Sequence, residues 1–166
     1  MTARPDDVIE ALTGKLERLA RLDRADREAL AALPFTLQTV PSGYEAVREG
    51  APAPAHRLLV EGYACRHRST SEGGKQILSF HMRGDILDLE RLLLPKADHG
   101  VQTISRATLA WIPAEALADA ARRRPTIGEA LWRDTLIDAS IFREWILNVG
   151  RRDARSRIAH MLCEFV

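Results

Sequence analysis

Cysteine is nearly absent from this 166-residue chain, and the two present, Cys65 and Cys163, have no neighbouring partner in sequence. That excludes a disulfide framework and a cysteine-rich metal centre, and leaves both as inert thiols. Charge of one sign is missing too: 24 basic against 23 acidic residues give a net charge of +1, with no general electrostatic pull toward nucleic acid or an anionic membrane. No apolar run approaches the length of a membrane span, and Met1 to Asp7 carries Arg4, Asp6 and Asp7 in place of a signal-peptide core. A cytoplasmic location is expected. Internal repeats and low-complexity tracts are also missing. No Ser/His/Asp, Cys/His or paired-carboxylate arrangement stands out, so an enzyme is not expected. What remains, at 46% apolar and 28% charged residues, suits one well-cored domain with an appendage.

The appendage is the most distinctive stretch. Between Thr126 and Val149 there is no proline, and apolar side chains fall on two adjoining helical stripes. Ile127, Leu131, Ile137, Ile141 and Trp145 follow one; Trp132, Leu136, Ala139, Phe142, Ile146 and Val149 follow the other. A helix apolar over so wide an arc needs two partners, and at its rise per residue it reaches roughly 36 Å. One stripe is expected to cover the chain's own domain and the other a second copy. Candidate dimer contacts are Leu131, Leu136, Ile137, Ile141, Phe142 and Trp145. Asn148, Val149 and Gly150 are expected to form a hinge, because glycine tolerates the backbone angles of a bend.

Ahead of this helix, Asp7 to Leu33 reads as two short helices, with Asp23 as N-cap of the second and Pro34 as its stop. From Phe35 to Ile112 the period changes to two. Strand-like stretches at Phe35–Val40, Ala46–Arg48, His56–Arg68, Lys75–Met82 and Val101–Ile112 are separated by glycine- and proline-rich turns, which suggests a sandwich, roll or barrel. In the fourth, Leu78, Phe80 and Met82 are expected to point inward, as are Ile104, Thr108 and Ile112 in the fifth. Ile86–Leu94 is expected to be a short helix inserted into the sheet. Pro113 is placed at the first position of a further helix, Ala114–Ala121, followed by Arg122, Arg123 and Arg124.

In order, Val47-Arg48-Glu49-Gly50, Leu59-Val60-Glu61-Gly62, Gly73-Gly74-Lys75-Gln76-Ile77-Leu78 and Arg83-Gly84-Asp85 resemble the cyclic-nucleotide-binding β-roll of the Crp/Fnr transcription regulators. The run from Ile146 to Glu164 resembles the junction in those regulators between dimerisation helix and DNA-binding domain. The resemblance implies an α+β fold: an antiparallel β-roll or jelly roll flanked by short N-terminal helices and a long C-terminal dimerisation helix. It implies three segments: residues 1–124 as a cyclic-nucleotide-binding-like roll, 125–150 as the dimerisation helix, and 151–166 as the start of a DNA-binding domain. A homodimer is expected, with DNA bound through a helix-turn-helix for which these residues leave no room. Arg151, Arg152, Arg155 and Arg157 either touch phosphates or, as the favoured reading, cap the helix and pair with Asp153 and Glu164.

The resemblance also locates a pocket. Cyclic-nucleotide binders place a Gly-Glu step at the inserted helix for the ribose and an Arg-Ser pair after it for the phosphate. Here those steps fall on Asp88-Leu89 and near Ala97-Asp98, where two carboxylates would repel a phosphate, so cyclic AMP is not expected to bind in the usual way. Candidate pocket residues are Gly84, Asp85, Asp88, Leu89, Glu90, Arg91, Asp98, His99 and Gly100. Arg91 either reaches the pocket or, as favoured, pairs with Asp88 or Glu90. Asp98-His99-Gly100 also satisfies a plain turn. An iron–sulfur cluster lacks cysteines, and the available haem ligands His56, His67, His81, His99 and Cys65 show no shared spacing. The cofactor stays unassigned. Two functions follow: the sensor and dimerisation portion of a Crp/Fnr-type regulator with a degenerate pocket, or a stand-alone dimer of the same fold acting through protein contacts or on a different small effector.

Overall fold

The computed structural model describes residues 3–52 and 54–165; Met1, Thr2 and Val166, at the ends of the expected first and third segments, and Ala53 lie outside the described residues. Helices α1 (Pro5–Glu17) and α2 (Arg24–Ala31) open the chain. The Asp23 carboxylate accepts from the Asp26 amide at 2.7 Å, which caps α2 as its sequence position requires. Seven strands follow: β1 (Thr36–Val40), β2 (Glu45–Val47), β3 (Ala55–Glu61), β4 (Ala64–Ser69), β5 (Lys75–His81), β6 (Gly100–Thr103) and β7 (Ala107–Pro113). They form two antiparallel sheets, ordered β1-β7-β3 and β2-β6-β4-β5. A 3₁₀ turn, Leu89–Leu92, takes the place expected for a short inserted helix.

Two of the expected strands are each broken in two. His56–Arg68 divides at Gly62 between β3 and β4, and Val101–Ile112 divides at Ile104–Arg106 between β6 and β7. The cause is one close approach: Gly62 has φ +91, and a Cβ there would stand 2.5 Å from the Arg106 carbonyl oxygen. Only glycine permits both the angle and the contact, so the two corners lock each other. Ile104, expected inward, is exposed on its corner, whereas Thr108 and Ile112 are buried. On β5 the deepest residues are Ser79 and His81, while Leu78, Phe80 and, just past the strand, Met82 are half-buried. Phe80 finds its cover elsewhere, against Trp145 and Phe165 at ring-centroid distances of 5.9 and 4.9 Å.

There are two hydrophobic cores. Val40, Val47, Leu59, Leu87, Val101 and Leu109 fill the space between the sheets. Leu58, Val60, Ala110 and Ile112, on the opposite face of β3 and β7, pack with α1, α2, α3 (Ala114–Arg123) and the start of α4 (Pro125–Arg151). Pro113 ends β7 and serves as N-cap of α3 instead of its first residue.

The long helix carries its two stripes, and the structure assigns one of them. Ile127 and Leu131 are buried in the helical core, with Asp134 also buried and Ile141 and Trp145 half-buried against the roll. Trp132, Leu136 and Ile146 are exposed at 70%, 56% and 73%. Leu131, expected at the dimer interface, therefore belongs to the chain's own core, and Phe142 and Trp145 are engaged with the roll; Leu136 and Ile137 are exposed. The expected hinge moves as well. Helix α4 runs unbroken through Asn148, Val149 and Gly150, and the chain turns at Arg152, where ψ is 150. Asp153 sets that break by accepting from the Ser156 amide at 2.8 Å and capping α5 (Ala154–Cys163). Among the described residues no helix is long and apolar enough to cross a membrane.

Candidate functional site

A cavity of about 540 Å³ opens between the β4–β5 hairpin, the Asp98–His99 turn and α4. Ile77, Leu78, Phe142, Trp145, Ile146 and Val149 give it apolar walls, and Arg66, Arg68, Gln76, Asp98 and His99 its polar groups. Arg66 is held from two sides: its Nη1 donates to Asp138 of α4 at 3.0 Å, and its guanidinium lies 5.1 Å from the Phe142 ring centroid. Arg68 pairs with Glu49 at 2.8 Å. His99 Nδ1 lies 2.7 Å from Asp98 Oδ1, and its Nε2 lies 3.6 Å from Glu90 Oε1. Burial, helped by the Arg66 charge, pushes the His99 imidazole below its ordinary pKa, whereas burial pushes the Glu90 carboxyl up.

The residues expected to line the pocket divide into three groups. Asp98, His99 and Glu90 meet at the cavity or beside it. Gly100 lies just behind, with the His67 ring against its α-carbon. Gly84 and Asp85 belong instead to the joint with α1, where Asp85 accepts from Lys15 at 2.7 Å and from the Met82 amide at 2.9 Å. Asp88 has no exposed surface; it accepts from the Arg57 amide at 3.0 Å and from Arg57 Nη1 at 2.6 Å. Burial alone would raise its carboxyl, but contact with His56 and the Arg57 charge outweigh it and hold the group below the usual range. Asp88 is thus a compensated structural ion, and the expected repulsion of a phosphate cannot come from it. Leu89 lies in the helical core, and Arg91 stands 3.9 Å from Asp88, the longer end of an ion pair.

Residues that the sequence did not assign to the pocket carry most of the cavity. Arg66, Arg68 and Gln76 come from the β4–β5 hairpin, and Phe142, Trp145, Ile146 and Val149 from α4. The alternation Arg66-His67-Arg68 inside an otherwise buried strand was the available signal, since a buried arginine in a strand needs a partner. A second apolar cavity of about 520 Å³ lies between the 3₁₀ turn, α3 and α4, lined by Leu89, Leu93, Leu94, Leu131 and Trp132 among others. Among the described residues no group of three or more His, Cys, Asp or Glu side chains comes together to hold a metal ion.

A double-sheet antiparallel roll, a short helical insert and a long C-terminal helix closing a cavity define the architecture of a cyclic-nucleotide-binding-like domain. No family model and no curated protein matches the sequence. Solved structures do match. FixK2 from Bradyrhizobium japonicum is similar with a TM-score of 0.73 at 26% identity, over 80% of this chain and 66% of that one. The catabolite activator protein of Thermus thermophilus gives 0.63 at 20% identity, over 81% of this chain and 61% of that one. The sensor domain of the transcriptional regulator DNR from Pseudomonas aeruginosa gives 0.62 at 17% identity, over 89% of this chain and 92% of that one. The chain spans just under two thirds of the length of the first two. The structural neighbours are Crp/Fnr family regulators, in agreement with the resemblance read from the sequence.

Proposed function

We propose that this chain is the sensor and dimerisation portion of a cytoplasmic Crp/Fnr-type transcription regulator whose pocket does not read cyclic AMP in the usual way. The observation that supports it best is the division of α4. One face packs on the roll, the adjoining face holds the outer wall of the 540 Å³ cavity, and the exposed stripe Trp132, Leu136 and Ile146 is left for a second copy. An event in the cavity thereby acts directly on the helix that joins two protomers, and through α5 on whatever follows. DNA contact belongs to a further domain in this reading.

Support for a non-canonical pocket comes from its charges. Both arginines at the cavity are already paired, Arg66 with Asp138 and Arg68 with Glu49, and Asp98 adds a carboxylate at the rim. Among the described residues that line the cavity, a cyclic phosphate would find no unpaired cation. Analytical ultracentrifugation tests the dimer: a monomer at micromolar concentration contradicts it. The reading frame beyond codon 166 tests the regulator. A helix-turn-helix there supports it, and a stop codon favours a stand-alone dimer of the same fold.

A further inference from the structure

Trp132 belongs to two surfaces at once. It heads the exposed stripe of α4, and it lines the second cavity, the groove of about 520 Å³ between the 3₁₀ turn, α3 and α4. Among the described residues the stripe carries six large exposed apolar side chains, Trp132, Leu136, Ile137, Ile146, Leu147 and Val149, spread over about five helical turns. A standard interface takes roughly 800 Å² and about 20–30 residues from each partner, so a second copy seated on this stripe alone falls short of one. The apolar surface continues past Trp132 into the groove. Leu93 and Leu94, which also line it, are 90% and 51% exposed, although the turn that carries them is closed: both amides donate to the Glu90 carbonyl, at 3.2 and 2.9 Å. Contiguous exposed apolar side chains on ordered elements mark an interaction surface.

The polar groups of the groove narrow its occupant. A small-molecule site needs convergent polar groups to orient its ligand. Here Thr135 Oγ1 donates back to the Leu131 carbonyl at 3.2 Å, Arg122 pairs with Asp119, and Glu90 Oε1 lies 3.6 Å from His99 Nε2. An anionic membrane surface needs surplus positive charge, whereas Arg122 and Arg123 on α3 are both compensated by Asp119. What remains is an apolar wall with a neutralised rim, continuous with the stripe already left for a second copy. A two-fold contact uses the same patch on both protomers, and a patch without surplus charge meets its own copy without repulsion.

Resting on the dimer reading, we infer that the second copy covers this groove as well as the stripe, so that Leu93, Leu94 and Trp132 belong to the dimer interface. The interface then spans two elements, α4 and the end of the 3₁₀ turn. That turn also carries Glu90, the neighbour of His99 at the main cavity.

Sedimentation equilibrium over a concentration series tests the inference with Leu93→Glu, beside Leu136→Glu on the stripe and Ala31→Glu, an exposed position on α2 outside both surfaces. Leu93→Glu is expected to raise the dimer dissociation constant at least about tenfold, and Ala31→Glu to leave it unchanged. Because Leu93 is almost fully exposed, the melting temperature of the dilute variant is expected to match that of the dilute parent. Amide exchange in residues 89–94 is expected to slow when the parent protein is concentrated from monomer to dimer. Loss of the dimer in Leu136→Glu with an unchanged constant in Leu93→Glu overturns this inference and leaves the dimer reading standing. Exchange in residues 89–94 that ignores concentration overturns it too. So does parent protein that sediments with phosphatidylglycerol vesicles through Leu93 while Leu93→Glu dimerises normally. A parent protein that stays monomeric at micromolar concentration removes the dimer reading itself, and this inference with it.

Discussion

Lys15 Nζ on α1 lies 2.7 Å from Asp85 Oδ1 and 3.2 Å from Asp134 Oδ1, so one ammonium joins the N-terminal helix, the turn after β5 and the long helix. The pair of carboxylates responds unequally. For Asp85, burial pushes the carboxyl up, but His81 and Lys15 outweigh it and hold the group well below the aspartate range; for Asp134, burial prevails and the carboxyl is raised. Lys15 itself is raised: burial lowers it, but the two carboxylates outweigh that effect.

Replacing this lysine strands both carboxylates in the interior. Lys15→Met is expected to lower stability by about 3 kcal/mol at neutral pH in urea unfolding. The sign of the pH effect follows from the shifts. Asp85, depressed in the folded state, contributes stability that is present above the ordinary aspartate range and lost as pH falls through its folded value. In the variant Asp134 loses the charge that opposes its burial and is raised further, while Asp85 keeps only His81 to hold it down, so acid relieves part of the strain. The gap between the two proteins is expected to narrow as pH falls below the aspartate range; a gap that stays constant would show that the charges are not its origin.

The two faces of α4 predict opposite kinds of variant. Leu136→Glu, on the exposed stripe, is expected to change monomer unfolding by no more than about 0.5 kcal/mol while abolishing the dimer in sedimentation. Leu131→Ala, in the chain's own core, is expected to cost about 2–5 kcal/mol whatever the oligomeric state.

Cyclic AMP and cyclic GMP are expected to leave the melting temperature unchanged. A nucleotide present at 100 times its dissociation constant would add about 2.7 kcal/mol, so even moderate binding would be visible in a thermal shift assay. A clear rise at micromolar nucleotide would contradict the charge argument built on Arg66 and Arg68.

Gly62→Ala is expected to destabilise by about 1–3 kcal/mol, because alanine is strained at φ +91 and its Cβ meets the Arg106 carbonyl. Thermal unfolding checks it, with Gly14→Ala, where a Cβ meets nothing within 4 Å, as the control expected to be neutral or mildly stabilising.

The sequence made the elements legible wherever one local signal governs one local choice. Asp23 caps α2 because a side-chain oxygen three residues from an amide needs no tertiary help. The two stripes of α4 follow from spacing alone. Parity on β5 did not follow, because Phe80 is covered from outside by Trp145 and Phe165, which pattern cannot place. Asp88 misled for the same reason: its partner, Arg57, is 31 residues away. The pocket residues of the hairpin are polar in a strand, and only the arrival of α4 explains how they are tolerated. Gly150 suggested a bend that the Asp153 cap places two residues later, at Arg152.

Ile146 and Val149 line the cavity and also stand exposed on the helix. In the proposed reading a molecule inside and a second copy outside draw on the same two turns of α4, which would link their binding free energies. Whatever factor the ligand adds to self-association, self-association returns to ligand affinity. The concentration of the protein in the cell then becomes one of the quantities that sets its sensitivity to the signal.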